Sequence, residues 1–595
     1  MAFPSEGFRE RLRGWLASRR ASRVIVALAV LLCVPSLTTG LVADDYVHQC
    51  ILGGGDGIPG LPANRLDLFT FASGIPARNH ALVDAGVFPW WTDPEVKLAF
   101  FRPLSALTHL LDHLAWPSTA WMMHAENLLW FMAVLLAVGA FYRRFLTPAW
   151  LAGLALLLYA VDDAHGPAVG WVANRNALVA ISLALPAVAL HDRYRREGWR
   201  PGRWLAPLML ALGLLAGESA IAATAYRAAH ALHVDRGTLR ARLASLWPYA
   251  GVTLLWRALY GALGYGTRAS GVYFDPSEDP RRFLLALPER LPHLVAAQFA
   301  LPWSDFSSLY PSLGPTVTRV MLGWALVVVA VLVASVAPLW RRDPITRFFV
   351  TGTALSLLPI SSTFAADRLL WFVGVGAMGI VAQVIAHGRG VFARAVAAGF
   401  IVVHLVLAPP LLALRSRSMD TVERALARAN DSIPRGPEIE GKTLVLMNPP
   451  ADPLAGYVLF TRAARGEPRP ERLRWLATGA EDVRVTRADD RTLRVRPEGG
   501  FLANVSEWML RSPARPMAVP ETIPLTGVSV DVTERGEGER PSEAVFRFDR
   551  ALEDPSLVFM QWSGYGFVPF PLPALGASVV LPRQDFLKAL FGPGS

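Results

Sequence analysis

The chain has 595 residues, of which 53% are hydrophobic and only 18% charged, against roughly 25% charge in an ordinary soluble domain. Mean hydropathy is +0.33, which excludes a single water-soluble globule. The net charge of +10 does not mark a nucleic-acid partner either, because lysine occurs only at 97, 442 and 588 and the arginines sit in short blocks between apolar runs.

A spanning helix needs about 20 mostly apolar residues to cross roughly 30 Å of hydrocarbon. Such runs are predicted at about 24–43, 121–141, 147–161, 177–191, 204–217, 219–233, 246–264, 317–339, 346–363, 369–387 and 393–414. The first run follows a basic segment, 1–23, as a signal peptide would. It is long and leads directly into acidic residues, so it is read as a retained helix. The fifth and sixth runs are short and form a hairpin that turns at Gly217-Glu218-Ser219. Segment 282–301 carries Arg290, Pro292 and His293 and is expected along the outer interface. Arginine blocks occur at Arg9 to Arg23, Arg143-Arg144, Arg193 to Arg203, Arg236 to Arg242, Arg341-Arg342 with Arg347, and Arg389 with Arg394. Arg-rich short loops stay cytoplasmic. About eleven spans then put the amino terminus in the cytoplasm and the carboxyl-terminal domain in the periplasm of a cell inner membrane.

The expected fold is thus a polytopic α-helical membrane bundle over 24–414, with a long first outer loop at 44–120. A mainly β or α+β soluble domain follows at 415–595. Within it, 443–447, 491–495, 528–532 and 544–548 are short β-type runs, broken at Pro449-Pro450, Gly499-Gly500 and Gly536-Glu537-Gly538. Two cysteines, Cys33 and Cys50, cannot build a disulfide framework and read as packing or loop residues.

The polar residues of the membrane half stand out because ionisable groups there are costly unless solvated, paired or used. Asp44-Asp45 ends the first run. Phe101-Arg102-Pro103-Leu104 opens a later helix, and a guanidinium fork suits a phosphate oxygen pair, although an Arg can also snorkel to the interface. Asp112, His113, His124, Glu126 and Asn127 follow. A second loop holds Asp162-Asp163-Ala164-His165-Gly166-Pro167, then Trp171, Asn174 and Arg175. Carboxylates and imidazole suit Mg or Mn, so Asp45, Asp163 and His165 (with Asp44) are candidate metal ligands, although no spacing demands an ion. Glu218, Arg257, Tyr260 and the Asp367-Arg368 pair complete the set.

An acidic pair after the first helix, a long loop, an aromatic-Arg-Pro-Leu motif and a helix with His124 and Asn127 three apart resemble the C-type (GT-C) membrane glycosyltransferases. The pattern is most similar to bacterial relatives of the transmembrane and tetratricopeptide-repeat-containing mannosyltransferases. Asp44-Asp45 matches the family's first-loop acidic motif, Phe101-Arg102-Pro103-Leu104 its Tyr-Arg-Pro-Leu, and Asp112, His124 and Asn127 the helix that follows. His165, Trp171 and Arg175 match the second loop, Gly217-Glu218-Ser219 the Lys-Glu step and Asp367-Arg368 the Glu-Arg step. The chain departs from the pattern at Pro167, where a Glu is expected, at Asp162-Asp163 in place of His-Pro, and at Gly217 in place of Lys. It also lacks the repeats, so the resemblance covers roughly 20–390.

The resemblance implies transfer of a sugar from a polyprenyl-phosphate donor to an extracytoplasmic glycan, lipid or protein acceptor. It implies Asp45 as the general base with Asp44 in support. Arg102, Arg175 and Arg368 would bind the donor phosphate, supported by Asp163, His165, Glu218 and His124. The competing readings are a transporter or flippase of lipid-linked precursors and a non-catalytic envelope assembly protein. A transporter concentrates ionisable groups at the bilayer midplane in related halves, whereas here they collect at helix ends and no half-chain repeat is visible.

Overall fold

A computed structural model describes residues 6–55 and 57–592. The chain divides into two compact units: Met1–Thr39, Phe100–Gly264 and Asp279–Met419 form one, and Gly40–Ala99, Tyr265–Glu278 and Asp420–Ser595 form the other.

The first unit is a helical bundle in which each predicted span is helical over most of its length, although the first stops at Thr38. The helices are Arg19–Cys33 (continued by a 3-10 turn, Val34–Thr38), Ala120–Phe145, Ala149–Ala160, Arg175–Ala184 with Pro186–Glu197, Gly202–Ala216, Ala222–His233, Trp247–Ala262, Pro315–Arg342, Pro344–Ile360, Trp371–His387 and Gly390–Ile401, the last running through Ala408–Arg415. Among the described residues, 5 helices are long and apolar enough to cross a membrane. The first predicted run packs as part of the bundle, with Ala21, Ile25, Ala29 and Cys33 buried, and the hairpin turns through Glu218–Ile221 as expected.

Two elements differ from expectation. Residues Glu6–Ala17 form an additional helix. The Pro280–Phe299 helix does not lie wholly outside the bundle. After Pro292 its side chains turn apolar, and His293, Leu294, Ala296, Gln298 and Phe299 are buried, with Leu294 in a core shared with Leu357, Ile360, Leu370 and Val373.

Without water to drive them together, membrane helices associate through close packing at small residues. A Cβ on Gly153 would come within 2.1 Å of the Leu16 carbonyl oxygen, and one on Gly376 within 2.0 Å of Thr353 Oγ1. The bundle also holds an aromatic core of Phe141, Tyr142, Phe145, Tyr226, Phe348 and Phe349. A buried hydroxyl must be hydrogen-bonded. Tyr142 accordingly donates to the Val375 carbonyl (2.6 Å) and Tyr226 to that of Phe372 (2.5 Å).

Three of the arginine blocks meet at one end of the bundle. Arg143 donates to the Ser18 carbonyl and the Ser22 hydroxyl, Arg144 pairs with Asp192 and Glu197, and Arg195 pairs with Asp235 at 2.9 Å.

The second unit is α+β. Strands β1 (Thr70–Ser73), β2 (Lys97–Ala99) and β3 (Gly266–Arg268) form one antiparallel sheet. Next come β4 (Thr443–Leu446), β5 (Arg472–Trp475), β6 (Val483–Arg487), β7 (Thr492–Pro497), β8 (Glu521–Leu525), β9 (Val528–Arg535), β10 (Pro541–Phe548), β11 (Leu557–Ser563), β12 (Gly566–Pro569) and β13 (Ser578–Leu581). A six-stranded sheet runs β13-β6-β7-β10-β9-β8, and a four-stranded sheet runs β12-β11-β4-β5. In the latter β4 is parallel to both β5 and β11. The four predicted β runs are all strands.

The domain boundary is corrected. The segment expected as an outer loop of the bundle folds, over residues 40–99, into the same unit as the carboxyl-terminal sheets. Trp90 Nε1 donates to the Leu476 carbonyl (3.1 Å) and Arg511 Nε to that of Trp91 (2.6 Å). Gly86 has φ +91, and a Cβ there would lie 1.9 Å from the Leu473 carbonyl oxygen, so only glycine fits. Two sequence-distant segments pair because buried Trp90, edge-on to Phe501, and Trp91, tilted against it, need partners the loop itself cannot supply.

Candidate functional site

Toward the start of the Ala120–Phe145 helix, away from Arg143-Arg144 at its other end, the polar residues form three clusters. Arg102, half-buried at the start of the Pro103–Ala115 helix, pairs with Glu218 at 2.7 Å, which also accepts from the Tyr260 hydroxyl at 3.3 Å. One turn along that helix, Ser105 donates to the Ala216 carbonyl at 2.7 Å. Farther along, Asp112 binds Arg175 at 2.6 Å. Arg175 also meets Glu126 (3.0 Å), Asn127 Oδ1 (2.7 Å) and the Met123 carbonyl (2.9 Å). Asn127 Nδ2 then donates to the Trp171 carbonyl at 3.2 Å.

Above Trp171 sits the Arg368 guanidinium, 5.3 Å from the ring centroid and 5.7 Å from that of Phe364. Its neighbour Asp367 belongs to a hub around Arg415, which reaches Asp163 (2.9 Å), Asp305 (2.9 Å) and Asp367 (2.8 Å) and stacks on Trp303. Trp303 Nε1 donates to Asp163, and Gln298 Nε2 to Asp162. His165 is buried face to face with Trp371, with centroids 4.2 Å apart.

These contacts divide the three expected phosphate arginines. Arg175 has no exposed surface and is neutralised by two carboxylates, so its geometry is that of an internal brace and not of an anion receptor. Arg102 is partly exposed but paired. Arg368 is half-buried between aromatic faces, with no carboxylate ion pair among the described residues. His124 is fully buried inside the Ala120–Phe145 helix. Asp163 and His165, read as metal ligands with Asp45, are engaged by Arg415 and by Trp371. Among the described residues, the group able to share one ion lies elsewhere, at His191, His230 and Asp235.

Sequence reading missed Arg415, Asp305, Trp303 and Gln298. Arg415 carried a usable signal, a cation closing the last apolar run, but was read as the edge of the soluble domain.

The acidic pair belongs to the second unit. Ala43 has φ 50 and ψ −112, a strained conformation for a residue with a Cβ. It sets the start of the Asp44–Leu52 helix, where acidic side chains complement the helix dipole. Asp45 is buried, 3% exposed, and its Oδ2 accepts the Val42 N–H at 2.8 Å. Asp44 is half-buried and accepts the Tyr457 hydroxyl at 2.5 Å. Burial, with Asp44 beside it, holds the Tyr457 phenol well above its ordinary value, so it stays a donor. Tyr46 receives Arg465 at 3.0 Å, and Arg465 reaches Glu423 at 3.6 Å.

No family model and no curated protein matches the chain. Among solved structures, it is similar to the Archaeoglobus fulgidus oligosaccharyltransferase tethered to an acceptor peptide, at 10% identity and a TM-score of 0.37, over 77% of this chain and 64% of that one. The chain therefore spans less than two thirds of that protein. It is also similar to ArnT from Cupriavidus metallidurans bound to undecaprenyl phosphate, at 14% identity and a TM-score of 0.35, over 76% and 89% of the two chains. The apo form of ArnT gives 12% identity and a TM-score of 0.36, over 75% and 88%. Likeness of this degree does not by itself assign a function.

Proposed function

We propose that the chain is an integral membrane glycosyltransferase that moves a sugar from a polyprenyl-phosphate donor to an extracytoplasmic acceptor. One observation carries this reading: the motif residues at 102, 112, 126–127, 163, 171, 175, 218 and 367–368, scattered over more than half of the helical unit's sequence, gather into three polar clusters that share the Pro103–Ala115 helix and the Asp367-Arg368 step. Most of these groups pair with one another, which offsets the cost of holding them at a bundle end, and Arg368, set against aromatic faces, is left available to a ligand.

In the proposed reaction an acceptor hydroxyl or amine attacks the anomeric carbon. The bond from that carbon to the donor phosphate oxygen breaks in the same step, with inversion. The acceptor's proton passes to a carboxylate of the Asp44-Asp45 pair. Exposure supports reversing the expected order within it: Asp44 meets the acceptor, and buried Asp45, which fixes the entering backbone by accepting the Val42 N–H, positions Asp44. Arg368 stabilises the charge that develops on the leaving lipid phosphate, and Glu218 orients Arg102 for the same task. Arg175 is left out of phosphate binding.

The test is transfer in membranes from a panel of lipid-phosphate sugars. Asp44→Asn is expected to lower the rate by roughly 100-fold or more at unchanged expression, and Arg368→Gln to lower it with the larger effect on kcat. Full activity in Asp44→Asn and Asp45→Asn alike would remove the acidic pair from the chemistry.

A further inference from the structure

The arginine-rich end of the bundle holds a second cluster that the sugar-transfer reading does not use. His191 lies on the Pro186–Glu197 helix, His230 on Ala222–His233, and Asp235 just past its end. All three are buried, at 3%, 0% and 7% exposure. One ligand atom of each lies within 4.8 Å of the others.

One nitrogen of each imidazole is committed. His230 Nε2 meets Asp192 Oδ1 at 2.7 Å, and His191 Nδ1 meets the Tyr249 hydroxyl at 2.9 Å. Their other nitrogens, His230 Nδ1 and His191 Nε2, are enclosed with no hydrogen-bond partner. A carboxylate that accepts from Nε2–H leaves the Nδ1 lone pair unprotonated and oriented. That outer-shell arrangement is the one that prepares a histidine for a metal. A buried polar atom without a partner is costly, and two of them on neighbouring rings, set edge to face with centroids 5.6 Å apart, call for a shared ligand.

We propose that His191 Nε2, His230 Nδ1 and an Asp235 oxygen bind one zinc-like divalent transition ion, clipping the ends of two helices together. The charges around the site define which ion fits. Arg195 meets both Asp235 oxygens, at 2.9 and 3.2 Å, and the buried Arg227 guanidinium lies 4.3 Å from the Tyr249 ring centroid. Arg195 offsets Asp235, and Arg144 and Arg196 offset Asp192, so there is no surplus negative charge for a hard, oxygen-seeking ion such as Mg or Ca. Zinc is held by imidazole lone pairs in two-nitrogen, one-oxygen sets with a fourth position open to water.

The experiment uses the full chain purified in detergent without chelator and dialysed against zinc, with metal content read by elemental analysis. About one zinc per chain is expected, falling to background in H191Q/H230Q, with a lower melting temperature after chelation of the wild type only. Should the double variant fail to accumulate, cobalt substitution of the wild type replaces it, and imidazole-type ligand-field bands are expected. A wild-type chain that binds no zinc, a double variant that binds as much, or a cobalt form without those bands would overturn the proposal and leave a hydrogen-bonded histidine pair. None of these readouts depends on sugar transfer.

Discussion

Replacing Arg175 with Met tests whether that residue braces the bundle or binds the donor. Its guanidinium has no exposed surface and bridges Asp112, itself 2% exposed, and Glu126, 23% exposed. It further satisfies Asn127 and the Met123 carbonyl. Removing one partner of a buried ion pair costs about 3–5 kcal/mol, because the remaining charge is stranded. Asp112 keeps only part of its support, from Trp116 Nε1 at 2.9 Å. Glu126 is partly hydrated and adds less. A loss of about 4 kcal/mol corresponds to a melting temperature lower by on the order of 5 °C. The assay is a thermal melt of the detergent-purified chain. R175M/D112N/E126Q, which removes all three charges, should recover much of the loss. If R175M melts like the wild type and loses sugar transfer, the brace is refuted and Arg175 returns to the donor phosphate.

Two further outcomes follow from the second unit. Burial, with Glu507 beside it, pushes Asp452 up to about 8, and its Oδ1 is enclosed without a partner although the residue is partly exposed. Because its ordinary value is about 3.9, the folded state binds the extra proton between those limits. The stability it contributes therefore falls as pH rises from about 4 to 8 and is constant above. Asp452→Asn should flatten the melting temperature between pH 5 and pH 8 relative to wild type, and parallel curves would refute the assignment. Gly86→Ala should abolish protease resistance of the second unit. The left-handed backbone and the clash with Leu473 together cost about 3 kcal/mol, and a variant as resistant as wild type would show that the turn can relax.

The helices were readable because burying an apolar span is a local matter of about 20 residues. The runs ending near Phe145, Arg342 and His387 show this, each bounded by charged or polar residues in the chain. Strands such as Val528–Arg535 were readable from alternation alone. The fate of residues 40–99 was not. Their polarity looks like a loop from within, and only Trp90, Trp91 and Gly86 meeting Leu476, Arg511 and Leu473 reveal a second unit.

Individual side chains divide in the same way. The sequence marked Arg102, Arg175 and Arg368 as equals, since each is a cation beside apolar residues. Tertiary structure separated them, because a guanidinium's role depends on which carboxylates approach it. Arg175 draws two from one helix and its neighbour, Arg102 draws Glu218 from 116 residues away, and Arg368 has aromatic faces instead. By itself the sequence determined that this chain builds a helical membrane bundle and a β-rich unit, since periodicity and hydropathy act over one turn or one span. Which charges are neutralised and which stay available was decided only when distant segments packed, because Coulombic pairing depends on distance in space and not along the chain.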